Sequence, residues 1–472
     1  MDALEQKIHA LSGYEAVGEK LAKRFGALLR QQDDWGLFRV NPLSFGARYD
    51  LPPRVALDLF IHAARVGLFD FAFNQLCLGC GGVAYSHESL NQVGIESFHC
   101  STCDVTYDAS LDERLEVAFT ISPSVHKLSI DPYRDMESYG RTFFSGNMQR
   151  SPAALAAVRH FIHGFVSVAP DEKQVLELTT RPGLRAGLLS IDTHSRIEFD
   201  VVPGATLGPQ LGFHPHGPDA RRVTMGVGEV KLTITNYGGR AAAGLVGEGF
   251  AMKAASMSHP PTWQPFVTGK MLLNNQAFRD LFRVQALAPD LKLSLKSLTL
   301  LFTDLKGSTE LYDRTGDVYA YQVVQEHFRL LSEAVRRHDG AIVKTMGDAI
   351  MASFSTSRDA VAAAVEMMKA MEAVNAKVKA AGHETGLKVG LHEGSALAVN
   401  AESRLDYFGQ TVNIAARVQA LASSGEIWIS EPVLAAEGVG DALKGAGLDP
   451  ERRVVALKGV GAPTPVFRLS AR

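Results

Sequence analysis

FTDLKGST, Phe302–Thr309, decides how the C-terminal part of this 472-residue chain folds, and KTMGD at 344–348 and DYFGQTVNIAAR at 406–417 complete it. Ser297–Thr303 is a β-favouring apolar run that ends in a polar Asp-Leu-Lys-Gly-Ser-Thr turn, so it predicts a short buried strand with Asp304 at its carboxyl end. A helical pattern follows. The backbone N–H groups of Lys306, Gly307, Ser308 and Thr309 would open that helix and form an anion site, since unpaired donors and the helix dipole both favour negative charge.

The apolar positions Val318, Tyr321, Val324, Phe328, Leu331 and Val335 predict a long helix that stops near Asp339-Gly340. Ala341–Thr345 and Ala349–Phe354 then predict a hairpin closed at Met346-Gly347-Asp348. If the hairpin pairs beside the first strand, Asp304 and Asp348 face one another. Two carboxylates with a triphosphate's oxygens make a hard-ligand cage suited to Mg²⁺ or Mn²⁺, with room for two ions. Thr411–Ala422 has a helical pattern in which Asn413 and Arg417, four apart, share a face. An amide beside a guanidinium suits charge developing on a pentacoordinate phosphorus. Lys344 and Asp406 match adenine's N1 acceptor and N6 donor, whereas guanine's O6 acceptor would be repelled by Asp406. Singly, each residue has a plainer use as a cap, a turn residue or a solvated polar face. Their conjunction, in order and in the right elements, carries the reading.

With these motifs in place, Leu298–Leu469 resembles the catalytic domain of class III nucleotidyl cyclases. The resemblance implies an α+β, ferredoxin-like βαββαβ fold with a mostly antiparallel sheet. It implies that Asp304, Asp348 and the carbonyl of Leu305 bind Mg²⁺ or Mn²⁺, two ions per site. Lys344 and Asp406 would select adenine, Asn413 and Arg417 would stabilise the transition state, and Lys458, at the end of a strand Arg453–Lys458, would hold triphosphate. The family's site lies between two domains packed head to tail. This chain carries both sets of residues once, which implies a homodimer with two shared sites. Many members place a basic phosphate ligand just after the strand that here reads GLKVGLHEGS, where this chain has Glu393, Gly394 and Ser395. The activity implied is adenylate cyclase, converting ATP to 3′,5′-cyclic AMP and pyrophosphate. Guanylate cyclase activity, a non-catalytic nucleotide sensor and a nucleic-acid regulator acting through the cysteine module are the alternatives.

Every cysteine falls in one pattern: Cys77 and Cys80, nineteen residues, then Cys100 and Cys103. Two CxxC knuckles at this spacing match a zinc ribbon in which four thiolates satisfy tetrahedral Zn²⁺. Two disulfides or a redox switch are the other options, disfavoured because the chain shows no secretory signature. His99 reads as a bystander. Between Cys77 and Ser110 there are four acidic residues and no Lys or Arg, which leaves nothing to neutralise nucleic-acid phosphates. The module reads as structural.

A net charge of −3 and an apolar fraction of 46% describe a multidomain globular protein. The divisions expected are residues 1–75, helical and winged-helix-like in part; 76–110, the zinc ribbon; 111–290, β-rich and regulatory; and 291–472, catalytic. Strand-like runs at Leu115–Ile121, Gln174–Thr180, Arg196–Val202 and Arg221–Tyr237 favour a sandwich or small barrel, and Val230–Gly249 reads as two strands about a Tyr-Gly-Gly turn. His214, His216 and His259 read as loop histidines. The N-terminus lacks an apolar signal core, and Asp58, His62, Arg65 and Asp70 interrupt the most apolar region, so no membrane span and a cytoplasmic location are expected. An effector of unspecified chemistry would act on residues 1–290. The arrangement resembles soluble bacterial adenylate cyclases with an N-terminal regulatory region.

Overall fold

The computed structural model describes residues 2–93, 97–100, 102–108, 112, 114–282, 293–307, 317–380, 385–401 and 404–471. In the C-terminal part, β1 (Leu293–Lys306) is the central strand. Its alternation feeds two cores: Leu298, Leu300 and Phe302 point to one, Leu301 and Leu305 to the other. Helix α1 (Asp317–Arg337), the hairpin β2 (Gly340–Met346) and β3 (Ala349–Phe354), and helix α2 (Ser357–Ala380) follow. Next come β4 (Gly386–Ala401), β5 (Arg404–Phe408), helix α3 (Gln410–Ala420), β6 (Glu426–Ser430), β7 (Leu448–Val455) and β8 (Thr464–Ala471). The sheet order is β2-β3-β1-β4-β6-β8-β7, with β5 paired to β4. Only the β4–β6 pair is parallel among those described. The mostly antiparallel α+β fold is as expected.

Helices α1 and α2 cover one face of the sheet through residues such as Leu331, Val335, Val361 and Met367. The other face carries α3 and shares a continuous apolar core with the N-terminal region. Phe25, Phe60, Phe69 and Phe119 of that region lie in one cluster with Leu298, Phe302, Ala398 and Tyr407 of the sheet. Each of the large side chains among them contributes about 1.5–3 kcal/mol on burial, so the N-terminal region and the sheet stabilise one another through this shared core.

Several boundaries differ from expectation. β1 runs on to Lys306, which pairs with Gly386, because the long β4 supplies a partner beyond Thr303. β4 continues to Ala401, so Glu393, Gly394 and Ser395 lie inside it rather than after it. Glu393 is tolerated there because its carboxylate accepts from the hydroxyls of Ser297 and Ser357, at 2.8 and 2.5 Å. The strand expected at Arg453–Lys458 is instead Leu448–Val455, and Lys458 sits in the following turn.

The N-terminal region begins with helices Ala3–Ser12, Gly18–Leu29, Pro42–Arg48 and Pro53–Arg65. Leu115–Ile121 pairs with Phe69–Leu76 of this same unit, so the β-rich part begins only at Ile162. There, five- and four-stranded sheets enclose a common core, including Val166, Ile197, Leu211 and Leu232. It is a sandwich. Gly228–Asn236 and Ala242–Gly247 belong to opposite sheets and form an arch, not a hairpin. The buried Asn236 holds the arch by donating to the carbonyls of Val168 and Arg240 and accepting from Gly238 N–H.

His392 in β4 gives the fold an acid limit. Burial pushes its imidazole down to about 4, with Glu393 opposing the shift, and the ring meets Ser430 Oγ at 2.8 Å. A histidine held neutral contributes stability that is complete above its unfolded pKa of about 6.5 and lost as pH falls towards 4. His392→Asn should therefore flatten the stability loss between those pH values by up to about 3 kcal/mol. Denaturant melts at pH 7 and pH 4.5 measure it; an equal loss in both proteins would assign the acid sensitivity elsewhere.

Candidate functional site

Asp304 lies near the end of β1 and Asp348 in the turn that leads into β3, at the same end of the sheet. The register sets Phe302 opposite Met351, and Ile350 N–H donates to Thr303 Oγ1 at 3.1 Å. Extending that register brings Asp304 level with Ala349, the neighbour of Asp348. Asp348 occupies the hairpin turn beside Gly347, whose φ of +64° suits glycine. The buried His327 of α1 meets the Asp348 carbonyl at 3.0 Å, which fixes the turn from behind. Asp348 Oδ2 is buried and has no partner. An orphaned carboxylate oxygen is costly unless something binds it, so this atom fits a metal ligand. The Asp304 carboxylate meets Lys388 Nζ at 2.8 Å across the β1–β4 ladder. Sequence reasoning passed over Lys388; its signal is a single lysine in the apolar run GLKVGL, opposite an aspartate.

The anion loop is only partly as expected. Lys306 ends the strand rather than opening a helix, and Gly307 has φ +83°. Ser308 and Thr309 lie outside the described residues.

Lys344 of β2 and Asp406 of β5 form an ion pair at 2.7 Å, so the structure brings the two expected base readers together. Lys344 is 39% exposed, which limits the pair to roughly 0–1 kcal/mol, little to give up when a base displaces it. Asp406 Oδ1 also accepts from Tyr407 N–H at 2.8 Å.

Helix α3 crosses β4 at Gly390, where a Cβ would stand 2.2 Å from the backbone of Gln419. Glycine there lets the helix lie on the sheet, which presents Asn413, exposed, and Arg417, half-buried. The Arg417 guanidinium packs against Gly459: a Cβ at that residue would lie 3.4 Å from both terminal nitrogens, and φ is +74°. The turn carrying Lys458 is thereby held beside Arg417. Glu393, which accepts from Ser297 and Ser357, is five residues along β4 from the Lys388–Asp304 pair.

Some 190 residues or more before Leu293, outside the C-terminal sheet, the four cysteines also meet. Their sulfurs all lie within 4.8 Å of one another, with Cys77–Cys103 and Cys80–Cys100 at 3.6 Å. Tetrahedral bonds of about 2.3 Å imply sulfur separations of about 3.8 Å, so the cluster has metal-site dimensions. Hydrogen bonding, first of all with Cys100, pushes the Cys77 thiol down and Cys80 up. His99 meets Thr106 Oγ1 at 3.2 Å and Asp104 at 3.4 Å instead of joining the cluster.

Residues 292–443 match the adenylate and guanylate cyclase catalytic domain, and the C-terminal part is a class III cyclase domain. Residues 1–280, over half the chain, match a family of unknown function designated DUF5939, and the chain belongs to that family. Adenylate cyclase 1 of Rhizobium meliloti is 30% identical over 138 residues, which cover 27% of this chain and 21% of that protein. The match thus spans about a fifth of the relative. Among solved structures, the adenylyl cyclase CyaB from P. aeruginosa is 23% identical, with TM-score 0.34, covering 38% of this chain and 96% of the other. The guanylyl cyclase Cya2 is 26% identical, with TM-score 0.33, covering 37% and 92%. Among the described residues, no helix is long and apolar enough to cross a membrane.

Proposed function

We propose that the chain is an adenylate cyclase, a homodimer with two shared sites, regulated through its N-terminal region. The observation that supports it most directly is the Lys344–Asp406 pair, an ammonium and a carboxylate 2.7 Å apart on strands of the sheet that carries Asp304. The ammonium donates to adenine N1, and the carboxylate accepts from N6. With the base fixed, the ribose 3′-oxygen of ATP attacks its own α-phosphorus in line. The new O–P bond closes the 3′,5′ ring as the bond to pyrophosphate breaks, and the 3′-hydroxyl proton is released.

Asp304, Asp348 and the Leu305 carbonyl would hold Mg²⁺ or Mn²⁺, two ions per site; bound there, they would acidify the 3′-hydroxyl and neutralise phosphate charge. Arg417 and Asn413 stabilise the charge that grows on phosphorus and the ribose oxygens. Gly307 and its neighbours hold the β- and γ-phosphates with main-chain N–H groups, and Lys458 neutralises the triphosphate. For Lys344→Glu with Asp406→Cys, the ratio of kcat/KM for ATP over GTP should fall by about a hundredfold, the value of two polar base contacts. Unchanged selectivity would reject the base assignment, and ATP bound without turnover would favour a sensor.

The cysteine cluster is proposed to hold one structural Zn²⁺ per chain. A structural zinc site contributes about 10–16 kcal/mol of apparent binding energy, which here would fold the ribbon. Cys80→Ser should lose the metal and lower the melting temperature by about 10 °C or more. A metal-free wild-type protein with four titratable thiols and the same melting point would overturn it.

A further inference from the structure

We infer that Gln276 and Arg279, which belong to the N-terminal region, are positioning residues for base recognition. The inference rests on the base-reading role proposed for Lys344 and Asp406. These two residues sit on strands that share no backbone ladder: β2 pairs with β3, and β5 pairs with β4. β2 is an edge strand, and its register with β3 slips between Ile342 and Lys344. Such a bulge re-aims side chains, here the lysine itself.

The short helix Gln276–Leu281 grips both strands beside their functional residues. Ile342 N–H, two residues before Lys344, donates to Gln276 Oε1 at 2.7 Å. Gln276 Nε2 donates to Asp280 at 2.9 Å, which leaves the amide oxygen free to face the strand. Arg279 Nη1 donates to the carbonyl of Leu405, next to Asp406, at 2.9 Å. Its Nε donates to Leu273 O at 2.8 Å, and its guanidinium lies 5.3 Å from the centre of the Tyr407 ring. A planar fork bonded on two sides and stacked on a ring has little freedom.

The space between helix and strands is not filled by side chains. A cavity of about 240 Å³, lined by Leu273, Phe278, Arg279, Val343, Lys344 and Leu405 among others, separates them. Packing of Val343 and Leu405 and the exposed Lys344–Asp406 pair leave this gap only partly determined, and the Gln276 and Arg279 bonds anchor both strands to one helix. The helix is tied in turn to the N-terminal unit, because its cap Asn275 donates to Asp58 Oδ1 at 2.7 Å. A displacement of the Asp58-bearing helix thus reaches the base readers through hydrogen-bonded atoms. This makes the N-terminal region part of the nucleotide specificity of the enzyme.

The test measures KM and kcat for ATP and GTP in the full chain bearing Gln276→Leu, Arg279→Met or Arg279→Lys. Both apolar variants keep volume and remove the bond. They should raise KM for ATP and lower the ATP-over-GTP ratio of kcat/KM by about tenfold, the effect of a sub-ångström misplacement, while kcat and the metal concentration for half activity stay within about twofold. Arg279→Lys, which retains a donor for Leu405, should recover most of the ratio. Unchanged KM and ratio in folded Gln276→Leu and Arg279→Met would overturn the inference, as would loss of kcat with selectivity intact. If Arg279→Met fails to fold, KM and the ratio in Gln276→Leu decide. Should the Lys344→Glu, Asp406→Cys protein change selectivity while these do not, the positioning role alone fails; should neither change it, the base assignment fails.

Discussion

Asp348→Ala is expected to lose about a thousandfold or more in cyclase activity, the roughly 4 kcal/mol of transition-state stabilisation that a metal ligand supplies, while its melting temperature stays level or rises slightly. The two halves of that result have separate causes. Asp348 Oδ2 is buried without a hydrogen-bond donor, so truncating the side chain relieves the unmet desolvation of that atom. What holds the turn is the backbone: Gly347 at φ +64°, and the His327 contact to the Asp348 carbonyl, neither of which involves the side chain. A purely structural aspartate would show the reverse pattern, with activity falling only as far as the fold does. Thermal melts alongside single-turnover rates from ATP separate these outcomes. Undiminished turnover would remove the metal mechanism altogether.

Asp304 differs in one respect. Its carboxylate already has a cation, Lys388, at 2.8 Å, so Asp304→Ala leaves a half-buried ammonium unpaired and should cost some stability as well as activity. The two aspartates are thus equivalent as expected ligands and unequal as structural residues. Asp348 is the cleaner probe.

The catalytic sheet was legible because its signals are local. An apolar run before Asp304, the Gly347-Asp348 turn and the four-residue spacing of Asn413 and Arg417 lie within short windows of sequence. Strand ends were less legible because they depend on a remote partner. Lys306 stays extended only because Gly386 lies opposite, and Glu393 is accepted in mid-strand because two serine hydroxyls, 96 and 36 residues away, satisfy it. Tyr237-Gly238-Gly239 read as a hairpin turn, yet local turn chemistry cannot say whether two strands join the same sheet. The grip of Gln276 on Ile342 and of Arg279 on Leu405 spans 66 and 126 residues and has no sequence signature. Lys388 could have been noticed, since a lysine in an apolar strand requires a partner.

Mixing Asp304→Ala subunits with Asn413→Ala subunits, each inactive alone, is expected to restore roughly a quarter of wild-type activity. Random pairing makes half of the dimers mixed, and an isologous interface gives each mixed dimer one intact site of two. In that site the subunit bearing Asn413→Ala contributes its aspartates, and the subunit bearing Asp304→Ala contributes Asn413 and Arg417. The surface needed for such a pairing is partly visible. Phe408 and Met346, which flank Asp406 and the Asp348 turn, are 69% and 41% exposed, unusual for large apolar side chains beside a polar site. The N-terminal region covers the sheet around Phe302 and Tyr407 but leaves these two side chains uncovered. Recovery should also depend on protein concentration, falling as the mixture is diluted below the dimer dissociation constant. Activity that never rises above the two inactive parents, at concentrations where sedimentation shows dimers, would mean that each subunit completes its own site.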